Sequence, residues 1–359
     1  MTIPPAPPFA PAPRPALPAD AVTGGLAFHR LVFARRRSGW WTPLAVAGLG
    51  FAFYVALTVV VLVIVFAVAS VDPTVLDRML ALSENPSIDT RDPFLLLLLL
   101  GTIVLMLPCY VLASLIVNGR RVGLISSAAG RLRWRWMLVC GLVALVLYGV
   151  FALISLVLPG AASTGEAAPN PQWVVSLVLI LVLVPFQSAA EEYVFRGFLM
   201  QAIGRWLRHP AWAILLPVPL FVMGHLYDVL GQINVGLFAV AAGWLAWRTG
   251  GLEAAIALHV VNNLSGFLLS LAAGTDPSES DVGAVSFVSS LVLMGLYVGI
   301  VEWLLRRRAA QGDALPRTLV LTPAPALPAW PAPAWPAPAW PTPPAGSWPA
   351  PQPHRSDDR

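Results

Sequence analysis

Long apolar runs separated by short polar segments make up most of the chain. Eight runs stand out, at residues 42–69, 93–117, 136–158, 173–190, 211–224, 233–247, 253–272 and 284–305. A helix needs roughly 20 apolar residues to cross the hydrocarbon layer of a membrane. The first three runs and the eighth meet this length, whereas the others are short or interrupted by polar groups. The pattern therefore predicts an all-α protein, a polytopic bundle of about eight transmembrane helices.

Arginines between the runs support this division of the chain, because short loops rich in Arg stay on the cytoplasmic side of a membrane. Every second connection is basic, and these connections carry Arg35 to Arg37, Arg120 to Arg135, Arg205 and Arg208, Arg248, and Arg306 to Arg308. The other connections are acidic, as at 72–92 and 276–281, or almost uncharged, as at 160–172. This alternation predicts an integral multi-pass protein with both termini in the cytoplasm.

Composition agrees with a protein whose main solvent is lipid. Hydrophobic residues make up 57% of the chain and charged residues 11%, against about a quarter in soluble proteins. Mean hydropathy is +0.74. All 22 basic residues are Arg, which is typical of a GC-rich genome and indicates a bacterial plasma membrane. The expected partners are the lipid bilayer and a peptide or protein substrate, and no nucleic acid.

The runs divide the chain into four segments. We expect residues 1–38 to be a disordered, Pro/Ala-rich and basic segment, and residues 39–160 to form three transmembrane helices. Residues 161–310 are expected to form a core of five transmembrane helices, and residues 311–359 a disordered, Pro/Trp-rich cytoplasmic tail.

The tail repeats Ala-Trp-Pro-Ala-Pro around Trp330, Trp335 and Trp340. Such a repeat favours extended polyproline II with a solvated backbone. A Pro-recognition module and the bilayer surface are two candidate partners of the tail. A linker with no fixed role is favoured over both.

Ionisable side chains inside the apolar runs require a reason, since each costs roughly 2.5 to 3.5 kcal/mol to insert. The first group ends the fourth run, where Glu191 and Glu192 are followed by Arg196. On a helix Glu192 and Arg196 are i,i+4 neighbours in the favourable acid-first order, while Glu191 projects about 100° away. Glu191 is therefore expected to lack a local counter-charge and to act as a general base.

Two further polar groups lie in later runs. His225 follows Pro217 and Pro219, which disrupt a helix. His259 and Asn263 are i,i+4 and share one helical face. An imidazole and an amide side by side can donate two hydrogen bonds to a developing oxyanion. Base, orienter and oxyanion donors are thus all present, and together they favour a catalytic or transport site.

A metal site is an alternative, because Glu191, His225 and His259 match the ligand types of catalytic zinc. The sequence contains no His-Glu-x-x-His, and the three residues come from separate helices, so spacing does not decide the question. Metal-free activation of water by Glu191 and His225 is preferred, and no cofactor is favoured. Serine chemistry is disfavoured, since the chain has no Gly-x-Ser-x-Gly.

At these residues the sequence resembles the CAAX protease and bacteriocin-processing (CPBP, or ABI) family of intramembrane peptidases. Residues 191–196 match Glu-Glu-x-x-x-Arg, residues 221–225 match Phe-x-x-x-His, and residues 259–263 match His-x-x-x-Asn. The motifs follow in the family's order and at similar spacing, roughly within residues 173–267. Three motifs in register are a specific signal, whereas a lone Glu-Glu-x-x-x-Arg is a weak one.

The resemblance implies that the segment 161–310 is a protease core. The implied roles are water activation for Glu191 and His225, stabilisation of the tetrahedral intermediate for His259 and Asn263, and support of the site for Glu192 and Arg196. Family members include eukaryotic peptidases that cut after a prenylated cysteine and bacterial proteins linked to bacteriocin maturation or self-immunity. A bacterial source argues against a prenylated substrate. The family is described both as metalloproteases and as glutamate-dependent proteases, so the resemblance leaves the metal question open.

Two other functions stay open on the sequence. One is a proton-coupled transporter that uses the same buried polar groups, and the other is a non-catalytic scaffold or bacteriocin-immunity protein that acts through its Trp-Pro tail. A geometric conflict also arises. Glu191 lies about 27 Å along span four at about 1.5 Å per residue, near the cytoplasmic face. His225 lies toward the outer end of a simple span five, so a break at Pro217 and Pro219 or a steep tilt of span four is needed to bring it to the site.

Overall fold

Helices form most of the part of the chain that the structure describes. The computed structural model describes residues 17–84, 90–157, 170–225, 227–273 and 283–321. Its helices are α1 (Thr42–Ala69), α2 (Thr74–Glu84), α3 (Pro93–Asn118), α4 (Trp134–Val157), α5 (Trp173–Glu192), α6 (Met200–Trp206), α7 (Pro210–Leu215), α8 (Val218–Met223), α9 (Val229–Thr249), α10 (Glu253–Ala273) and α11 (Ala284–Ala310). A π-helical segment, Tyr193–Leu199, joins α5 to α6. The prediction of an all-α membrane protein is confirmed.

Seven helices in the described part of the chain are long and apolar enough to cross a membrane, rather than the eight predicted. They are α1, α3, α4, the continuous helix Trp173–Trp206, α9, α10 and α11. The fifth predicted span instead forms the two six-residue helices α7 and α8. Pro217 and Pro219 explain the break, because proline cannot donate the backbone hydrogen bond of a continuing helix but is tolerated in a first turn. Both short helices pack against α9.

The α10 helix is the centre of the bundle. It packs against α4, α5 and α9, while α5 also packs against α3, and α1 contacts the bundle mainly through α3. Half of the residues in the most apolar stretch of α10 are buried, compared with 6% of those in α1. Since lipid is as apolar as these side chains, α1 needs no protein cover. The first and third polar motifs, on α5 and α10, therefore lie on enclosed helices.

One end of the bundle carries most of the arginines, and we call it the arginine-rich face. It includes the short 3-10 helices Phe28–Ala34 and Val122–Ile125, the α9–α10 turn and residues 311–321. Arg35 donates to the backbone oxygen of Gly119 at 2.7 Å. Arg133 forms an ion pair with Glu253 at 2.6 Å. These contacts connect the first predicted span to the second, and the third to the seventh, at a single face.

The N-terminal segment is folded on this face, so the prediction that all of 1–38 is disordered is wrong for residues 19–34. Leu26, Phe28 and Leu31 are fully buried in one cluster with Met200. The Pro/Ala-rich composition of the first residues predicted disorder for the whole segment. These apolar side chains are buried by partners that are distant in the sequence, so local composition did not indicate their burial. Residues 1–16 lie outside the described residues.

The predicted C-terminal tail is also partly folded. Strand β1 (Leu26–Ala27) pairs antiparallel with β2 (Thr318–Leu319), with Leu26 opposite Leu319. Gly250, in the left-handed conformation at φ 72°, lets the Arg317 backbone approach, because a Cβ there would lie 2.5 Å from the Arg317 Cα. The predicted disorder is therefore wrong for 311–321, and the Trp-Pro repeat lies outside the described residues.

The buried His29 on this face predicts a pH-dependent stability. Its Nε2 lies 3.0 Å from the Arg208 carbonyl oxygen, which accepts its hydrogen, and burial lowers the pKa of His29 below its ordinary value of 6.5. The unfolded chain therefore binds a proton at a pH where the folded chain does not, and stability falls as pH falls through about 6.5.

We expect His29→Gln to reduce this loss between pH 8 and pH 5, measured as the difference in thermal midpoint in detergent. His209→Gln is the comparison variant, because His209 is exposed and its charge is the smallest of the causes that shift the pKa of His29, so it should change the pH dependence less. Parallel pH curves for the wild type and His29→Gln would contradict the assignment.

Candidate active site

The predicted ion pair between Glu192 and Arg196 is present, and it is buried. Glu192 ends α5 and Arg196 lies in the following π-helical segment, with 2.9 Å between Arg196 Nη1 and Glu192 Oε1. Arg196 also donates to the backbone oxygen of Ala239 at 3.1 Å, and its guanidinium lies 4.5 Å from the centre of the Phe221 ring. Three partners from different elements therefore hold Arg196, which fixes the end of α5 against α8 and α9.

His259 on α10 connects the two carboxylates. Its Nδ1 is 2.8 Å from Glu192 Oε1, and its Nε2 is 3.4 Å from Glu191 Oε2. Glu191 was expected to project away from Arg196, and in the structure Arg196 forms its ion pair with Glu192 instead. Glu191 was expected to lack a local counter-charge, and the ionisable neighbour that the structure gives it, His259, comes from a different helix. Two carboxylates and an imidazole thus share one buried site.

A chain of hydrogen bonds extends from Glu191 to α4. The Gln187 amide donates to Glu191 Oε1 at 2.8 Å and accepts from Asn263 Nδ2 at 3.2 Å. Asn263 Oδ1 accepts from Asn262 Nδ2 at 3.0 Å, and Asn262 Oδ1 accepts from the Tyr148 hydroxyl at 2.8 Å. The chain therefore links α5, α10 and α4 through polar side chains inside the membrane-spanning helices.

Three members of this chain were missed by the sequence analysis. Gln187 had a detectable signal, since it lies four residues before Glu191 in an apolar run. Asn262 is adjacent to a motif residue and could have been included for that reason. Nothing in the sequence connects Tyr148 to the motifs, because it lies on α4, more than a hundred residues before Asn262.

His225 is brought near the cluster through an aromatic ring. Its ring centre is 4.8 Å from that of Phe221, and the Phe221 ring centre is 6.1 Å from that of His259. The Phe221 carbonyl accepts from His225 Nδ1 at 2.9 Å, so Nε2 is the nitrogen left to accept a proton. Within the described residues, no hydrogen bond joins His225 to Glu191 or His259. The structure therefore assembles Glu191, Glu192, Arg196, His259 and Asn263 directly and His225 indirectly.

The residues named for the zinc alternative are not grouped as a metal site among the described side chains. Among the described residues, no three His, Cys, Asp or Glu side chains lie together so that they could hold a metal ion. Both nitrogens of His259 face carboxylates, and Nδ1 of His225 is bound to a backbone oxygen. The set Glu191, His225 and His259 thus does not fit zinc as the side chains stand.

Each of the two carboxylates keeps one buried oxygen free of hydrogen bonds from the described protein residues, namely Glu191 Oε2 and Glu192 Oε2. Glu191 is 7% exposed and Glu192 is fully buried. A buried carboxylate oxygen without a donor is costly and rare, which marks it for a functional explanation. Glu191 is the more exposed of the two residues, and its Oε2 can accept a proton.

The fold and the site define a class of protein: a polytopic membrane protein whose spans enclose two adjacent carboxylates, an imidazole and an amide. Residues 170–265 match the family model described as type II CAAX prenyl endopeptidase Rce1-like. The match includes all three motifs and confirms the resemblance to CAAX-type membrane proteases. It makes this segment a CAAX-protease-like region of an integral membrane protein.

A curated relative also matches part of the chain. The chain is 37% identical over 99 residues to "Uncharacterized protein YyaK" of Bacillus subtilis (strain 168), covering 24% of this chain and 32% of the relative. The chain therefore matches about a third of that relative's length. No solved structure shows a significant match to the chain.

Proposed function

We propose that the protein is an intramembrane endopeptidase that hydrolyses a peptide bond of a membrane-anchored substrate with water. The observation that carries the proposal is the position of Glu191 Oε2, which is buried, accepts no hydrogen bond from the described residues, and lies 3.4 Å from His259 Nε2. A proton acceptor in a poorly solvated site beside an imidazole is what activation of water requires.

In the proposed reaction Glu191 removes a proton from water as the water oxygen attacks the carbonyl carbon of the substrate. The peptide carbonyl oxygen becomes an oxyanion, which His259 and Asn263 stabilise by donating hydrogen bonds. The C–N bond then breaks, and the proton held by Glu191 passes to the leaving amine. Glu192 accepts from both His259 Nδ1 and Arg196, so this pair orients the imidazole.

His225 is the second proposed activator of the water. Its Nε2 is free to accept a proton, because Nδ1 donates to the Phe221 carbonyl oxygen. The Phe221 ring is in contact with the rings of both His225 and His259.

Gln187 is a positioning residue in this proposal, because it bonds to Glu191 and Asn263 at once. Gln187→Met keeps an unbranched side chain and removes both hydrogen bonds. We expect kcat to fall about 10²-fold with little change in KM, since small misplacements of catalytic groups have effects of that size.

Gln201→Met is the matched control for Gln187→Met. Gln201 lies on the same continuous helix, is equally buried at 5% exposure, and donates to the Leu124 carbonyl oxygen outside the site. Equal kcat values for the two variants would show that Gln187 does not position the catalytic groups.

A cleavage assay tests the function itself. The purified protein in nanodiscs is incubated with a library of membrane-anchored peptides, lipidated and unlipidated, and products are identified by mass. Cleavage by the wild type that is absent in Glu191→Gln supports the peptidase, and a parallel incubation with chelator measures metal dependence. A folded wild type that cuts no peptide above the Glu191→Gln background would refute it.

A proton-coupled transporter is the second candidate, favoured by the hydrogen-bonded chain from Tyr148 to Glu191. Buried polar relays of this kind also mark proton paths in membrane proteins. Proton flux into liposomes that depends on Tyr148 and Glu191, without peptide cleavage, would support it over the peptidase.

We propose that the arginine-rich face lies in the cytoplasm of a bacterial cell. Short basic connections stay on the cytoplasmic side, and the described ends of the chain at 17 and 321 both belong to this face. Cysteine labelling at Arg131 and Asp77 tests the orientation, since these positions lie at opposite ends of the bundle. Labelling of Arg131→Cys by an impermeant reagent in intact cells would overturn it.

A further inference from the structure

A large apolar groove lies on the side of α5 and α10 that carries no site residue. Its volume is about 1050 Å³, and its walls come from α3, α4, α5 and α10. Pockets of about 300–1,000 Å³ hold small-molecule ligands, so this groove is large enough for one. Its wall residues are nearly all apolar, and the hydroxyls of Ser126 and Tyr193 in it are hydrogen-bonded to each other at 2.7 Å. The groove therefore offers no polar group that needs a partner.

The groove is separate from the candidate active site although the same helices build both. Phe186 and Ala189 of α5 and Val260 of α10 line it, whereas neither Glu191 nor His259 does. Ala189 and Glu191 are two residues apart on α5, so their side chains point about 160° apart. A ligand in the groove would contact the back of the catalytic helices.

The groove opens to the hydrocarbon layer of the membrane. The α3 helix packs on α5 and the α4 helix on α10, while α3 and α4 have few contacts with each other. The groove-lining residues Leu138, Leu142 and Leu145 on α4 are also more than half exposed. All four helices qualify as membrane spans, so an exposed edge between them faces lipid chains.

The end of the groove at the arginine-rich face is positively charged. Val122 and Leu132 of the α3–α4 connection line the groove, and this connection contains no acidic residue between 119 and 135. Arg120, Arg131 and Arg135 are exposed within three residues of these two positions. Basic sites between transmembrane helices bind the headgroups of anionic lipids.

We propose that this groove binds one anionic phospholipid, with an acyl chain among the four helices and the phosphate at the α3–α4 arginines. The apolar walls, the exposed edge and the basic end each match one part of such a molecule. Because the lipid contacts the rear faces of α5 and α10, it supports the helices that carry Glu191 and His259. This inference does not depend on the proposed peptidase activity.

Photolabelling tests the site. The full chain in phosphatidylcholine nanodiscs is labelled with phosphatidylglycerol that carries a diazirine in its acyl chain, and labelled peptides are mapped. We expect label on α3, α4, α5 and α10 at several times the level on α1, and several-fold less label with a phosphatidylcholine probe of the same chains. Label spread evenly, or equal for both headgroups, overturns the proposal.

Substitution in the groove supplies the matched control. Gly141 lines the groove and Gly149 on the same helix does not, and a Cβ on either glycine meets no atom within 4 Å. Gly141→Phe should lower groove labelling several-fold, and Gly149→Phe should leave it unchanged. Gly141→Leu replaces the larger variant if that variant fails to fold.

The basic end is tested by the double substitution Arg120→Gln and Arg131→Gln, which should abolish the preference for phosphatidylglycerol. Retention of that preference overturns the headgroup assignment. Displacement of the label by a lipidated peptide, but not by unlabelled phosphatidylglycerol, would assign the groove to a substrate and also overturn the proposal.

Discussion

Glu191→Gln is expected to lower kcat for peptide cleavage by about 10²–10⁴-fold, the contribution typical of a positioned general base. The amide has nearly the shape of the carboxylate and can still interact with Gln187, but it cannot accept the proton of the water. Glu191 Oε2 is the oxygen left free of hydrogen bonds from the described residues, so the loss falls on the reacting atom itself. Rates are measured on the best substrate from the peptide library, with KM determined separately.

Glu302→Gln is the control, because it makes the same Glu-to-Gln change outside the candidate active site. Glu302 lies on α11 and pairs with Arg248 and Arg306, away from the site. Its substitution should leave kcat unchanged. If Glu191→Gln remains folded by gel filtration and thermal melting yet cleaves at the rate of Glu302→Gln, then Glu191 is not the base.

Arg196→Met is expected to destabilise the protein by about 3–5 kcal/mol, the usual effect of removing one partner of a buried ion pair. Arg196 is 2% exposed, and its loss leaves Glu192 with His259 as its remaining partner. The side chain also loses its contact with the Phe221 ring and its hydrogen bond to Ala239. Unfolding in detergent, followed by circular dichroism against denaturant, measures the change.

The chain provides a matched pair for this test. Arg306 and Glu302 have the same i,i+4 spacing and acid-first order, but the Arg306 side chain is 77% exposed. Surface pairs contribute about 0–1 kcal/mol, so Arg306→Met should have little effect. Adding Glu192→Gln to Arg196→Met should recover part of the loss by removing the unpaired charge. Similar unfolding curves for Arg196→Met and Arg306→Met would show that the buried pair is not structural.

The agreement between predicted and observed spans is closest for helices that face lipid. The first run, predicted at 42–69, matches α1 at both ends, and the second, 93–117, matches α3 to within one residue. A helix in lipid must satisfy its own backbone hydrogen bonds, so its extent depends on local sequence alone. The fifth run does not form a single span, because two prolines interrupt it and divide it into two short helices.

At the ends of the folded chain, by contrast, the sequence analysis and the structure disagree. Burial of Leu26 and Phe28 and the pairing of Leu26 with Leu319 depend on contacts between residues nearly 300 positions apart. Composition near each end is rich in Pro and Ala, and no local period marks these residues. Their folding is a property of the assembled arginine-rich face.

In the site, the amino-acid sequence indicates which groups are unusual and which of them pair locally. The pair of Glu192 with Arg196 follows from helix geometry, because i,i+4 neighbours meet on any helix. The packing of the helices brings His259 between Glu191 and Glu192, connects Glu191 to Asn263 through Gln187, and places His225 near them through Phe221. Those contacts join side chains from different helices, and the packing of α5, α8 and α10 sets their distances, which spacing along the chain does not encode.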